Sequence, residues 1–514
     1  MFGRGKMELS ESSHILREDG GAQPHFQKAQ PQPPPADLQL EEKNETKSKS
    51  PGETPCTTPD ISNDTYQLVG DGDFEKKDKS NIPMASFNFI NSIIGSGIIG
   101  IPFALRQAGF GLGLILIVLV AVITDYSVVL LIHGGNLSNT NTYQDLVRAA
   151  FGRPGFYALT FMQGLYPFIA MISYNVIIGD TITKIVIRIG GESIRWSILG
   201  NRQFIIAVCT IVVTLPLSLY RNISRLSKLA FTSIVLNIVI IIVTIIRLIV
   251  PFPERIPTSD DGWEFANTQV AQSIGIMAFA YMCHHNSFLI YDSLENNTQE
   301  RWSMVTHLSV IFAMVCTLIF GITGYATFTG FTQGDLLENY CANDDLVNVV
   351  RFVFALTIML TYPIECFVVR EVIENAIFAN TQPQPLKRHI IETVIIVILT
   401  VIISMATDCL GIVLQVNGVL AAAPLAFIIP PFCVMRLQQE AVFSLKNIPC
   451  ILISLFGIVV MVVGVVMTIL DIVNGITCSH GEEMPYCMTG NTTLSTAHAY
   501  LNTSSRHTTT PAFT

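Results

Sequence analysis

"NSIIGSGIIGIP", residues 91–102, places Gly95, Gly97, Gly100 and Pro102 within eight positions of a segment otherwise apolar enough to run as one helix. In hydrocarbon every backbone N–H and C=O needs an internal partner, so a helix breaks only where neighbouring protein or a water-filled cavity satisfies the freed groups. Whether this stretch lies in hydrocarbon is decided by the rest of the chain. Half of its 514 residues are hydrophobic, 13% are charged and the mean hydropathy is +0.49, too apolar for a soluble protein of this length. Runs such as "LGLILIVLVAVITDYSVVLLI" (112–132) and "ILISLFGIVVMVVGVVMTIL" (451–470) match the thickness of a bilayer core. The glycines therefore interrupt a membrane helix.

Eleven spans are expected, near 82–105, 109–133, 156–184, 203–220, 229–250, 270–291, 305–329, 346–378, 388–407, 409–432 and 448–470. A cytosolic N-terminus puts thirteen Lys and Arg on the inner flanks and seven on the outer ones, and this bias sets the orientation. Residues 1–80, with "QPQPPP" (30–35) and "EEKNETKSKSPGETP" (41–55), read as a disordered cytosolic tail. The transporter domain is 81–470, and 471–514 is an extracellular tail whose sequons Asn491 and Asn502 are glycosylation candidates. The sequons at Asn44, Asn63, Asn136, Asn222 and Asn296 fall on the cytosolic side. The net charge of −9 and the lack of a basic stripe exclude nucleic acid as a partner. Seven of the eleven cysteines, Cys409 among them, lie in or beside apolar runs and read as small buried hydrophobes. Cys341, Cys478 and Cys487 lie in polar loops, and Cys478 with Cys487 is the candidate disulfide.

A second interruption gives the first one meaning. The sixth span holds "AYMCHHNSF" (280–288), a polar patch inside an apolar segment. If spans 1–5 and 6–10 are two halves, the breaks occupy equivalent positions, which points to a 5+5 inverted-repeat secondary transporter with one extra helix. Tight packing of small residues is the competing account of the glycines. Half-helix N-termini suit a substrate carboxylate and unwound carbonyls suit a hard cation, and an amino acid carried with Na⁺ meets both demands. Gly95, Ser96, Gly97 and Ile98, with His284 and Asn286, are the substrate-binding candidates. Thr357 and Thr361 stand one turn apart on the eighth span and, with Asn91 and the carbonyl of Ile94, are the candidate sodium ligands. A threonine bonded back to its own helix is the simpler alternative. Glu365, one turn further along, is a proton-coupling candidate, though a cation ligand or the partner of a basic group are equally open roles. Asp125 and Asp180 are weaker intramembrane carboxylates of the same kind.

The stretches "FNFINSIIGSGIIGIPFALRQAG" (87–109), "FAYMCHHNSFLIYDSLE" (279–295), "LTYP" (360–363) and "PLSLYRNI" (216–223) resemble the sodium-coupled neutral amino acid transporters of solute carrier family 38, within the wider amino acid/auxin permease group. The resemblance implies an eleven-helix fold like that of the bacterial leucine transporter, with Na⁺ moved alongside a neutral amino acid and a proton exchanged in some relatives. It also implies that Asn91 handles Na⁺ and substrate and that Thr361 belongs to the Na⁺ site. Tyr362 and Glu365 depart from the family pattern, where a small aliphatic and an apolar residue are expected.

These readings predict an all-α membrane protein acting as a secondary active carrier, not an enzyme. It has no Gly-x-x-x-x-Gly-Lys-Ser/Thr motif for ATP, so ion gradients supply the energy. Na⁺ is the co-transported ion, H⁺ a candidate counter-ion, and no organic cofactor is expected. The plasma membrane is the expected location and an endolysosomal membrane the alternative. A non-transporting amino acid sensor that signals through the N-terminal tail is the rival reading.

Overall fold

In the computed structural model the described residues are 79–220, 230–252, 262–378, 384–407, 409–438, 443–473 and 484–487. Most of the 1–80 tail, together with Cys478, Asn491 and Asn502, lies outside them. Ser80 does not belong to a free tail, because its amide donates to the carbonyl of Ser293 at 2.8 Å and its carbonyl accepts from Glu295 at 2.9 Å.

The described chain is helical. Helix α1 (Ile82–Ile93) is capped by the Asn81 side chain, which accepts from the Met84 amide at 3.0 Å, and has Pro83 in its first turn. It is followed by α2 (Ser96–Ala108), bent 48° from it. Next come α3 (Phe110–Ser138), α4 (Tyr143–Gly190), α5 (Arg202–Ser218), α6 (Ala230–Ile249), α7 (Val270–Ala280), α8 (His284–Ser293) and α9 (Gln299–Phe328). The last four are α10 (Asp345–Ile377), α11 (Leu386–Ala406), α12 (Leu410–Leu437) and α13 (Ile448–Val473). Among the described residues seven helical segments are individually long and apolar enough to cross a membrane, and the bent pair α1–α2 makes an eighth. Helix α5 and the described part of α6 are shorter apolar helices.

A helical turn opens at Tyr143, where the Thr142 hydroxyl caps the Asp145 amide at 3.1 Å. Non-helical backbone at Gly152 (φ 69°, ψ −157°) then separates it from the long helix of the third span, which starts close to the expected position. Helix α4 packs along α10 and against α11, α1 and α3 gather around α9, and α7 lies among α2, α12 and α13. Outward from these contacts the helices carry the side chains a lipid solvent accepts, such as Ile115, Val122, Ile311, Ile402 and Val462.

The cysteine pairing differs from the expected one. Cys487 is bonded to Cys341, in the segment before α10, and not to Cys478. Sequence separation does not determine connectivity, and the tail packs where Met484 and Tyr486 bury against that segment. Cys409, read as a buried hydrophobe, is also disulfide-bonded.

Candidate functional site

The first interruption is a joint with its own partners. Ile94 (φ −82°, ψ 84°) leaves the helix, Gly95 is extended, and the first intrahelical bond of α2 runs from the Ile98 amide to the Gly95 carbonyl at 3.5 Å. The amides of Ser96 and Gly97 thus stand at a helix start, where N–H groups have no intrahelical acceptor. Helix α6 satisfies the other side. Asn237 Nδ2 donates to the Ile94 carbonyl at 3.3 Å and the Ser233 hydroxyl donates to Asn91 Oδ1 at 2.5 Å.

The second interruption, Tyr281 to Cys283, separates α7 from α8. The two breaks meet. A Cβ on Gly97 would lie 2.7 Å from the Ala280 Cα, and Asn286 Nδ2 donates to Ser92 Oγ at 2.8 Å. The two glycines at 95 and 97 therefore have different jobs. Gly97 allows close backbone approach, as the packing account holds, whereas Gly95 is exposed and a Cβ there would meet nothing within 4 Å. Ile98 is buried in the core and can offer only backbone.

His284 does not face this junction. It is 0% exposed and its Nε2 lies 3.2 Å from Ser127 Oγ on α3, behind the break. His285 is the nearer imidazole, with its ring 5.5 Å from Tyr166 on α4 and its Nε2 3.0 Å from Asn286 Nδ2.

Helices α4 and α10 close the other wall. Thr357 donates to the Val353 carbonyl at 2.9 Å, and Thr361 to the carbonyls of Thr357 and Ile358 at 3.2 and 3.1 Å. Both threonines bond back to their own helix, which uses their protons and leaves oxygen lone pairs to accept or ligate. Tyr174 joins the two walls. Its hydroxyl lies near Ser96 of α2 and near Thr361 and Glu365 of α10. No hydrogen bond among the described residues joins Asn91 or Ile94 to Thr357 or Thr361. Tyr362 points away from the junction, its hydroxyl 2.7 Å from Thr400 on α11, and does not narrow it. Asp180 pairs with Arg202, and Asp125 lies 2.8 Å from His307 on the outer face of α3 and α9.

Sequence reasoning missed Tyr174, Ser233 and Asn237. A signal was present: Ser173-Tyr174-Asn175 is a polar run inside α4, and Ser233 and Asn237 are one turn apart in an apolar helix, the same spacing that singled out Thr357 and Thr361.

The segment 332–344 covers one end of the junction. Gly334 lies against Gly411, so that a Cβ there would be 2.3 Å from the Gly411 amide, and its carbonyl is near Gly100. Arg106 of α2 donates to the Thr332 carbonyl at 2.9 Å, and Lys184 of α4 to the Glu338 carbonyl at 2.6 Å. Asp335 is 1% exposed in this lid, and burial, with Glu338 beside it, pushes its carboxyl up to about 7 against the pull of the Leu337 amide, Lys184 and Arg351. Closing the lid therefore takes up a proton between the ordinary carboxylate range and about pH 7. Lid protection is expected to fall as pH rises through that window and to level off above it. Asp335→Asn should flatten the slope of lid-amide hydrogen exchange, corrected for intrinsic rates; an unchanged slope would assign the dependence to another group.

The profile of the family described as transmembrane amino acid transporter protein matches residues 78–471. The chain belongs to this family. A relative from Danio rerio, provisionally named sodium-coupled neutral amino acid transporter 11, is 48% identical over 425 residues, covering 83% of this chain and 94% of its own. Vacuolar amino acid transporter 2 of Saccharomyces cerevisiae is 32% identical over 432 residues, covering 81% and 88%. The solved structure of MhsT in complex with L-phenylalanine aligns at a TM-score of 0.47 and 14% identity, covering 75% of this chain and 98% of that one. Members of the transmembrane amino acid transporter family are carriers and not enzymes, and this member is a multi-pass membrane protein.

Proposed function

We propose that this protein is a sodium-dependent carrier of small neutral amino acids, working by alternating access, with a proton exchanged through Glu365. The observation that carries the reading is the junction itself. Two broken helices meet at Gly97 and Ala280, beside an open position at Gly95 and the Tyr174 phenol, which lies near both α2 and α10. Its helix-start amides suit a carboxylate, and its freed carbonyl and threonine hydroxyls suit Na⁺. Sodium coupling is in the name of the Danio rerio relative, and both named relatives are described as amino acid transporters. In this reading the helices make eleven crossings as a 5+5 inverted repeat plus one, with the N-terminus cytosolic and the lid outside. Residues 471–514, with Asn491 and Asn502, then face the extracellular or luminal side.

The test is uptake of a panel of neutral amino acids into proteoliposomes with and without a Na⁺ gradient. Gradient-driven accumulation is expected, and binding without flux would leave the sensor standing. Thr361→Ala should raise the Na⁺ concentration for half-maximal uptake by roughly tenfold, the loss of one ligand worth about 1.4 kcal/mol, at unchanged protein abundance. An unaltered Na⁺ dependence would remove Thr361 from the ion site.

A further inference from the structure

Helix α9 ends at Phe328, and Thr329 takes φ 48° and ψ −122°, a left-handed backbone that a β-branched residue adopts at a cost. The chain pivots there into the lid. On the far side of the pivot the lid is fixed to α10. Arg351, 0% exposed, donates to the carbonyls of Leu337, Tyr340 and Cys341 at 2.7, 2.5 and 3.2 Å. Arg351 thus ties the lid to α10, as Arg106 and Lys184 tie it to α2 and α4, and Thr329 is where its angle to α9 can change.

Residues Met484–Cys487, from the opposite end of the sequence, lie across this pivot. On the lid side Cys487 is bonded to Cys341, and the Tyr486 hydroxyl donates to the Asn339 carbonyl at 2.7 Å. On the α9 side the Tyr486 ring lies 6.2 Å from that of Phe328, which also meets the lid's Tyr340 edge on at 4.8 Å, and just past the pivot it lies 6.0 Å, edge on, from Phe331. Met484 and Cys487 are 6% and 8% exposed, so the segment is packed into the contact.

We propose that Met484–Cys487 is a strap that restrains the pivot at Thr329 and holds the 332–344 lid closed. One attachment is covalent and one is an aromatic contact, so the strap can let go of α9 without leaving the lid. The consequence for transport rests on the alternating-access reading, in which the lid must lift for substrate to pass, while the strap itself does not.

The experiment reads the lid directly. In the full-length protein in detergent or nanodiscs, hydrogen exchange at the Leu337 and Glu338 amides reports lid opening. Tyr486→Ala keeps the disulfide and should speed that exchange about tenfold. Phe328→Ala, which cuts the same contact from α9 together with the Phe328–Tyr340 contact, should speed it at least as much, and Tyr486→Ala with Phe328→Ala should add little beyond Phe328→Ala alone. Cys487→Ser should exceed Tyr486→Ala. Unchanged lid exchange in Tyr486→Ala overturns the strap, whatever uptake does. Faster lid exchange with no amino acid flux in any variant, wild type included, keeps the strap and rejects the transport reading.

Discussion

Gly97→Val is expected to cut uptake by at least about tenfold, while Gly95→Ala leaves the fold intact. At position 97 even a Cβ would lie 2.7 Å from the Ala280 Cα and 3.1 Å from the Phe279 ring. The first neighbour is backbone and cannot swing aside, so the two broken helices must separate. Overpacking of a tight contact costs about 1–3 kcal/mol, and each 1.4 kcal/mol is tenfold in an equilibrium. Uptake should therefore fall by at least about tenfold, with protein still present in the membrane. At position 95 a methyl meets no protein atom, so any loss of uptake in Gly95→Ala would come from crowding the cargo and not from misfolding. The pair separates the two accounts of the glycines in one uptake assay corrected for abundance. Wild-type uptake in Gly97→Val would show that the close approach is dispensable, and the site as described would fail with it.

The second large effect is expected at Glu365. Its carboxyl lies near the Tyr174 hydroxyl, with Thr361 and Ser96 close to the same phenol, so an intramembrane acid stands beside both the substrate wall and the ion wall. Glu365→Gln keeps the shape and removes the titration. If the proton is exchanged there, uptake in the variant should lose its pH dependence, and the outward proton movement that accompanies amino acid entry should vanish. Tyr174→Phe supplies the control, since it should weaken both substrate and Na⁺ dependence without flattening the pH profile. A pH profile that survives Glu365→Gln would return this residue to a structural role.

The two interruptions were legible because backbone rules in hydrocarbon are strict: glycines followed by proline, or a polar patch, must mark a place where the ladder is cut. Which side chains fill the cut was less legible, because that depends on how each helix is rotated. His284 and His285 are adjacent in sequence, yet one turns to Ser127 and the other to Tyr166. Asn91 and the Ile94 carbonyl lie at the first break, but their partners Ser233 and Asn237 come from a helix whose described part carries no break. The disulfide shows the same limit, since Cys478 is the nearer cysteine in sequence and Cys341 the one in reach of Cys487. Tyr362, where the resemblance implies a small aliphatic residue, is taken up by Thr400.

The grip of α6 on the first break bears on the kinetics of the cycle. If Na⁺ binds at Asn91 and the Ile94 carbonyl, it meets oxygens already engaged by Ser233 and Asn237. Binding is then an exchange of partners and not the filling of a vacant cage, so the net gain on capture is small. A carrier must release its ion on every turnover, and an acceptor that falls back onto a ready donor has little to lose by letting go.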